Sequence, residues 1–304
     1  MNRRKFFENT AVSAAGIIFG GNILSKSSDV NEVDSLSSSY DIMQQVMKYQ
    51  KIDCHAHPSF NNNSFDTQIE FAQRLGIDKL IMSRPLTSGE TKFEKFREAN
   101  DVILKAMKRY PDKVIGQPTV NAQFQKESLE EIDRCIDQGM VGLKVYNQVK
   151  INDPLFYPII EKLIDLNMIV HMHVGVGNSR VKAHPGEPES ITTPDDFAEA
   201  AKRYPEAMFQ YAHLGGGGDW EAGCNAVRDC PNVYVDLSGS NNEENIVNFA
   251  LEHIGEDRML FGCDNSFYQG VGHVLAANLS ETQKRKIFFD NYNNILRKAG
   301  RHVD

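Results

Sequence analysis

The chain lacks a paired cysteine pattern, an excess of basic residues and an apolar run long enough to cross a membrane as a stable helix. Its five cysteines are an odd number spread over 304 residues, which excludes a disulfide framework and predicts buried thiols. Cys224 and Cys230 fall on one expected helix but face different sides, so no bond joins them. The formal net charge is -8 and the pI near 5.6. Nothing is available to neutralise phosphates, which excludes nucleic acid and anionic membrane surfaces as partners. No G-x-G-x-x-G follows the first apolar segment, so the usual dinucleotide fingerprint is absent too. Gly215-Gly216-Gly217-Gly218 comes after a late strand and has no Lys-Ser/Thr behind it, and reads as a turn or a plain loop. What is present is ordinary for a globular chain: 41% hydrophobic and 24% charged residues, enough for one large or two medium cores.

The first residues are of another kind. Arg3-Arg4-Lys5-Phe6-Phe7 leads into the apolar, small-residue stretch from Ala11 to Leu24, followed by a Ser/Asp-rich segment. A charged head before a short apolar region reads as an export signal rather than as folded structure. It resembles a twin-arginine leader, although Asn2 replaces the usual Ser or Thr and no clear small-x-small cleavage site follows Leu24. No cysteine lies near Leu24, so no lipid anchor is expected. The organisation read from this is an export signal over 1–30, a linker over 31–49 and a folded domain over 50–304. The twin-arginine machinery is then a partner and the periplasm the destination, with the cytoplasm as the location if the leader does not function.

From residue 50 onward two periodicities alternate. Short apolar, β-branched runs recur at Lys51–His55, Lys79–Ser83, Val114–Val120, Val141–Tyr146, Met168–Val174, Met208–Leu214, Val233–Leu237 and Met259–Cys263. Between them lie amphipathic helical patterns at Asp66–Leu75, Glu90–Arg109, Ser128–Gln138, Pro154–Leu166, Pro194–Arg203, Trp220–Asp229, Glu243–His253 and Ser280–Ala299. Pro154 and Pro194 stand where a first turn begins, and Gly76, Gly139 and Gly255 where helices stop. Eight βα units predict an α/β fold of the (β/α)8 TIM barrel type, with distortion allowed, and an open doubly wound sheet as the alternative.

A barrel builds its site at the C-terminal ends of its strands. The first ends in Asp53-Cys54-His55-Ala56-His57, where residues i and i+2 share a face and offer two imidazoles side by side. The fourth ends in Gly142-Leu143-Lys144-Val145-Tyr146, the fifth in His171-Met172-His173-Val174-Gly175, the sixth in Ala212-His213-Leu214-Gly215-Gly216 and the eighth in Phe261-Gly262-Cys263-Asp264-Asn265. Strand alternation turns Cys54 and Cys263 toward the helix layer, as packed thiols.

These segments, with Asn291-Tyr292-Asn293-Asn294-Ile295-Leu296 at the end, resemble the amidohydrolase-related family of metal-dependent barrel enzymes over nearly all of Lys51 to Ala299. The resemblance implies that His55, His57, His173 and Asp264 bind a divalent ion, zinc first and manganese as the other candidate, with one ion favoured over two. It implies that His213 is the acid/base group, and Asp264 is a candidate base as well. His171 shares a face with His173 and competes for the ligand role, but Val-Gly after His173 matches the family pattern. Lys144 has three readings: a carboxylated bridge between two ions, as in some members of the wider superfamily, a grip on a substrate carboxylate, or the partner of a buried acid. The loop from Gly175 to Thr193 would overhang the metal, with Arg180 and Lys182 as grips on an anionic substrate. Asn61-Asn62-Asn63 and Ser266–His273 are further walls, with Phe267, Tyr268 and Trp220 available to pack on substrate.

Two reactions share such a scaffold. The first expectation is hydrolysis of a C–N, C–O or lactone bond in a small molecule by metal-activated water. The alternative is decarboxylation of an aromatic or unsaturated carboxylic acid. An inactive binding protein on the same barrel is the third reading, weakened by the presence of every expected ligand. A homo-oligomer is compatible with all three.

Overall fold

Strands that are covered on both faces read as near-continuous apolar runs, and the eight β-branched segments become strands of that kind. The computed structural model describes residues 41–59, 64–86, 90, 92–175, 190–214, 220–239 and 243–304. The leader, Asn61-Asn62-Asn63, Arg180, Lys182 and the four-glycine run lie outside the described residues. Residues Met43–Asp304 form one compact unit.

A short helix, α1 (Ile42–Met47), precedes β1 (Ile52–Ala56). The repeat then runs α2 (Asp66–Arg74), β2 (Lys79–Met82), α3 (Phe93–Arg109), β3 (Val114–Gly116), α4 (Gln125–Asp137) and β4 (Leu143–Val145). It continues with α5 (Tyr157–Asp165), β5 (Ile169–Met172), α6 (Pro194–Arg203), β6 (Met208–Tyr211), α7 (Trp220–Val227), β7 (Val233–Asp236), α8 (Ile246–Ile254) and β8 (Met259–Leu260). Every expected strand is present; β1 runs one residue past the apolar run that announced it, to Ala56, and the other seven are shorter than theirs. Helix starts follow the expected chemistry: Thr193 and Asp196 form a reciprocal capping box around Pro194 at the start of α6. Gly76, Gly139 and Gly255 have φ of 61°, 92° and 83°, the left-handed backbone that ends a helix.

All strands pair in parallel, β1-β2-β3 in one run and β4 to β8 in another. Hydrogen bonds close both seams. Val141 N donates to Gly116 O (2.9 Å) and Lys144 N to Pro118 O (2.8 Å) at one; Cys54 N donates to Phe261 O (3.0 Å) and Asp264 N to His55 O (2.7 Å) at the other. The result is a (β/α)8 barrel. Its N-terminal end is plugged by Tyr49, Phe288 and the buried stem of Lys51.

Beyond β8 the sequence reading missed one helix. Ser266–His273, expected as a loop wall, is largely α9 (Phe267–Ala276), because Gly270 and Gly272 break the helical pattern. Gly270 has a packing reason: a Cβ there would lie 2.8 Å from Gly262 O and 3.0 Å from Cys263 Sγ, so only glycine lets α9 rest on the end of β8. The final helical stretch comprises α10 (Glu281–Arg285), a π turn (Lys286–Asp290) and α11 (Asn291–Lys298). Phe267 is buried and stacks on Phe71, while Tyr268 stands exposed beside it. Trp220 packs edge-on against Phe249 of α8. These contacts hold the helix layer together.

Candidate metal centre

The site begins with an irregularity in β1. Asp53 pairs with Leu80 and Ala56 with Met82, so β1 carries one residue more than β2, a β-bulge. The bulge breaks the in-out alternation, and Cys54 and His55 both face the barrel interior. Cys54 Sγ lies 3.2 Å from Gln210 Nε2, and His55 Nδ1 lies 2.8 Å from Asp236 Oδ2. This corrects the expectation that alternation turns Cys54 outward. Cys263 does lie against α9, and all five cysteines are free and buried.

Partners fix the tautomers of the two leading histidines. His57 Nδ1 is 2.8 Å from the carbonyl oxygen of Ser83, which can only accept, so that nitrogen carries the proton. His55 Nδ1 faces the Asp236 carboxylate and carries a proton for the same reason. In the neutral rings both Nε2 atoms present lone pairs, and they face each other at 3.1 Å. Asp264 Oδ1 joins them, 3.3 Å from His57 Nε2 and 3.8 Å from His55 Nε2. Burial pushes the imidazoles of His55 and His213 down to about 3, so both rings are neutral near neutral pH. Burial pushes the Asp264 carboxyl up, but His55 and His213 more than offset this and hold it well below its usual range. The Lys144 ammonium reaches His55 Nε2 at 3.0 Å, but His57 Nε2 and Asp264 Oδ1 meet as two acceptors, and acceptors that converge so repel unless a cation lies among them. Neutral imidazoles plus a carboxylate are the donor set of zinc, manganese and similar ions, and the residues fit such an ion.

Two triads bring ligand atoms within 4.8 Å of one another: His55, His213 and Asp264, and, deeper, His55, His171 and Asp236. His173 reaches the cluster through His213, with Nδ1 2.8 Å from His213 Nε2, and its ring lies 4.2 Å from that of Tyr146. His171 lies below it, its Nδ1 3.1 Å from Gln117 Oε1 and its Nε2 3.3 Å from Asp236 Oδ2. Both strand-five histidines thus belong to the site, His173 on the cavity wall and His171 beneath. Lys144 is buried, with Nζ 3.0 Å from both His55 Nε2 and His171 Nε2. Burial lowers its ammonium to about 8, against the pull of Asp236 and Asp264.

Besides Gln117, which faces His171, four contributors escaped the sequence reading. Asp236 ends β7 and is fully buried; burial pushes its carboxyl up, but His55 and His171 hold it well below the carboxylate range. It accepts from His55, from Gln210 Nε2 (3.0 Å) and from Ser238 N (2.8 Å), the support that fixes a ligating imidazole. Ser238 Oγ lies 3.0 Å from His55 Nδ1 and 3.5 Å from His213 Nδ1. Gly262 is the fourth: a Cβ there would lie 3.2 Å from Asp236 Oδ1, His55 Cβ and Ser238 Cβ. The signal for Asp236 was an ionisable residue closing Val233-Tyr234-Val235, the strand-end rule already applied to five other strands.

A cavity of about 200 Å3 opens over this cluster, with His57, His173, His213, Asp264 and Lys144 below and Pro85, Leu86 and Tyr146 as its walls. Trp220, Phe267 and Tyr268 are not among the described residues lining it. His213 and Asp264 hold left-handed backbone, with φ of 64° and 46°. Such strain costs roughly 1–3 kcal/mol per residue and concentrates at functional sites.

Residues 52–291 match the sequence profile of the family described as Amidohydrolase. A 2-amino-3-carboxymuconate-6-semialdehyde decarboxylase from Dictyostelium discoideum is 25% identical over 255 residues, covering 72% of this chain and 70% of the relative. Among solved structures, a 2,6-dihydroxybenzoate decarboxylase from Rhizobium superposes with a TM-score of 0.66 at 17% identity, over 81% of this chain and 98% of the other. A dihydroxybenzoic acid decarboxylase from a Polaromonas species, solved with bound manganese and the inhibitor 2-nitroresorcinol, gives 0.64 at 17% identity, over 81% and 96%. At that identity the two structures show the fold.

Proposed function

The chain belongs to the amidohydrolase family, and from that premise we propose that it is a metal-dependent decarboxylase of an aromatic or unsaturated carboxylic acid. The observation that carries this reading is the decarboxylase from Dictyostelium discoideum, alike over most of both chains. Hydrolysis, the first expectation, is supported less well, since the relatives and neighbours reported above carry decarboxylase names.

The site suits the reaction. The chemistry a divalent ion would bring, held by His55, His57, Asp264 and a strand-five histidine, is stabilisation of negative charge on substrate oxygens. Manganese is favoured over zinc by the Polaromonas neighbour. Tyr146, Leu86 and Pro85 form an apolar wall that receives a flat, unsaturated acid and keeps water from it. When the bond between the carboxylate and the substrate carbon breaks, its electron pair stays on that carbon and carbon dioxide leaves. His213, neutral at rest, then relays a proton to the carbon, giving up the one on its ring as the ring takes another from solvent. Its Nδ1 stands 3.4 Å from Asp264 Oδ2, and its Nε2 is held by His173, so the ring is oriented from both sides. In this reading the twin-arginine-like leader carries the enzyme out of the cytoplasm.

The test is a panel of dihydroxybenzoates, other phenolic acids, unsaturated dicarboxylates, lactones and amides, offered to manganese- and zinc-loaded protein. Release of carbon dioxide from at least one acid is expected. Turnover of a lactone or amide, with none of any acid, would overturn the reading in favour of hydrolysis.

A further inference from the structure

Away from the metal centre, two neighbouring helices of the outer layer leave a second cavity between them, of about 220 Å3. It shares no lining residue with the cavity over the histidines. Helix α3 supplies Phe93, Phe96 and Arg97, spaced i, i+3 and i+4 on one face. The facing side of α4 supplies the acids, Glu127, Glu130 and Glu131, and one more arginine, Arg134.

The charges in this cavity are of two kinds. The inner ones are satisfied. Glu131 is buried and accepts from Arg134 Nε (2.7 Å), Arg134 Nη2 (2.6 Å) and Asn100 Nδ2 (3.0 Å), and Arg134 Nη2 also reaches Asp101 Oδ1 at 2.9 Å. Asn100 in turn is fixed to the backbone of Thr119 twice, donating to its O and accepting from its N. The outer charges are open. Arg97 on one helix and Glu127 on the other have no ion-pair or hydrogen-bond partner among the described residues, although both line the same small cavity. Glu130 meets only Lys126, at 3.9 Å, and both of those side chains are exposed.

We propose that the cavity between α3 and α4 is a second binding site, for a small zwitterion with an apolar body, namely an apolar α-amino acid. Its carboxylate pairs with Arg97, its ammonium with Glu127 and Glu130, and its side chain lies on Phe93 and Phe96.

The observations select this class of ligand. A guanidinium fork matches a carboxylate with two parallel hydrogen bonds, and a carboxylate accepts from an ammonium. Opposite charges that share a cavity without meeting are both satisfied only by a ligand that carries both complements. The aromatic acids of the reading above lack the ammonium. Phe96 is 1% exposed and Phe93 39%, so one ring makes a floor and the other a rim that an apolar side chain would cover. The volume lies below the roughly 300–1,000 Å3 of sites for drug-sized ligands, which limits the occupant to one small molecule.

The inference rests on neither the metal nor the reaction. Purified full-length protein would be titrated calorimetrically with L-leucine, L-phenylalanine, glycine, leucinamide and N-acetylleucine, and so would Arg97→Met and Glu127→Gln/Glu130→Gln. Circular dichroism would check folding, and Arg97→Gln serves if Arg97→Met does not fold. Leucine or phenylalanine should bind at one site per chain. Glycine, leucinamide and N-acetylleucine each lose one contact and should bind about tenfold or more weakly. Arg97→Met should weaken leucine to a similar degree and erase its advantage over leucinamide, and the double glutamine variant should erase its advantage over N-acetylleucine. Failure of both amino acids to bind native protein would overturn the proposal, as would binding that either variant leaves unchanged, which would put the ligand elsewhere. Self-association in sedimentation that Arg97→Met abolishes, with no amino acid bound, would give this face to a second copy and overturn it as well.

Discussion

Among the described residues two lysines are buried in this barrel, one at each end, and their partners differ in kind. Lys51, at the N-terminal end, is fully buried and directs its ammonium at backbone carbonyls, Val46 O at 2.5 Å, Tyr49 O at 2.8 Å and Gly76 O at 3.5 Å. Those oxygens can do nothing but accept. Lys144, at the C-terminal end, directs its ammonium at the nitrogen lone pairs of two imidazoles, which could equally serve an ion. Equal burial therefore says nothing about role, while the chemistry of the acceptors does. Carbonyls around a lysine make a plug, and imidazoles around one make part of a site. The difference follows the division of labour in such barrels, with stability at the bottom and chemistry at the top.

Substitutions at the two ends should have different consequences. The largest effect is expected at the top: His213→Gln should lower turnover by about 10²–10⁴-fold, the usual worth of a positioned proton donor, with metal content unchanged. Loss of metal together with activity would make His213 a ligand rather than the proton donor. At the bottom, Lys51→Met should cost about 1–3 kcal/mol for each carbonyl left unpaired, read from denaturant midpoints, with metal content and turnover per folded molecule as in the native protein. A change in metal content there would erase the distinction between the two ends. Asp236→Asn should weaken metal binding by roughly 10–100-fold, measured by competition with a chelating dye, because an amide no longer secures the proton on His55 Nδ1.

The smallest effect is a pH slope. Burial holds the Lys51 ammonium down at about 8, with Asp78 opposing, against 10.5 for the same group unfolded. The unfolded chain therefore binds the extra proton between these values, and stability rises with pH across that window. Native protein should gain on the order of 1 kcal/mol relative to Lys51→Met from pH 8 to pH 10. A gap between the two proteins that stays constant over this range would show that the carbonyls fully compensate the burial.

The parts legible in the sequence were those governed by periodicity and strand-end position. Eight strands announced themselves as β-branched runs, and His55, His57, His173, His213 and Asp264 were all found by asking what closes each run. Asp236 obeys the same rule, but a single aspartate after Val-Tyr-Val has no neighbour to mark it, and its importance comes from meeting His55 across the barrel. Gln117, Gln210 and Ser238 belong to the same class, polar residues whose partners are distant in sequence and assembled by closure. The inward turn of Cys54 depends on a one-residue bulge that no propensity encodes. Helix α9 was hidden by Gly270, whose purpose is close packing on β8. Arg180 and Lys182, read as grips on substrate, fall outside the described residues.

The facing lone pairs of His55 and His57 are the centre of this picture, and a calorimetric titration of metal-free protein with manganese chloride addresses them most directly. Native protein should bind one ion per chain, and His55→Ala/His57→Ala should give no binding heat while keeping its fold. Equal heats and stoichiometry in the two proteins would contradict the assignment of the metal centre.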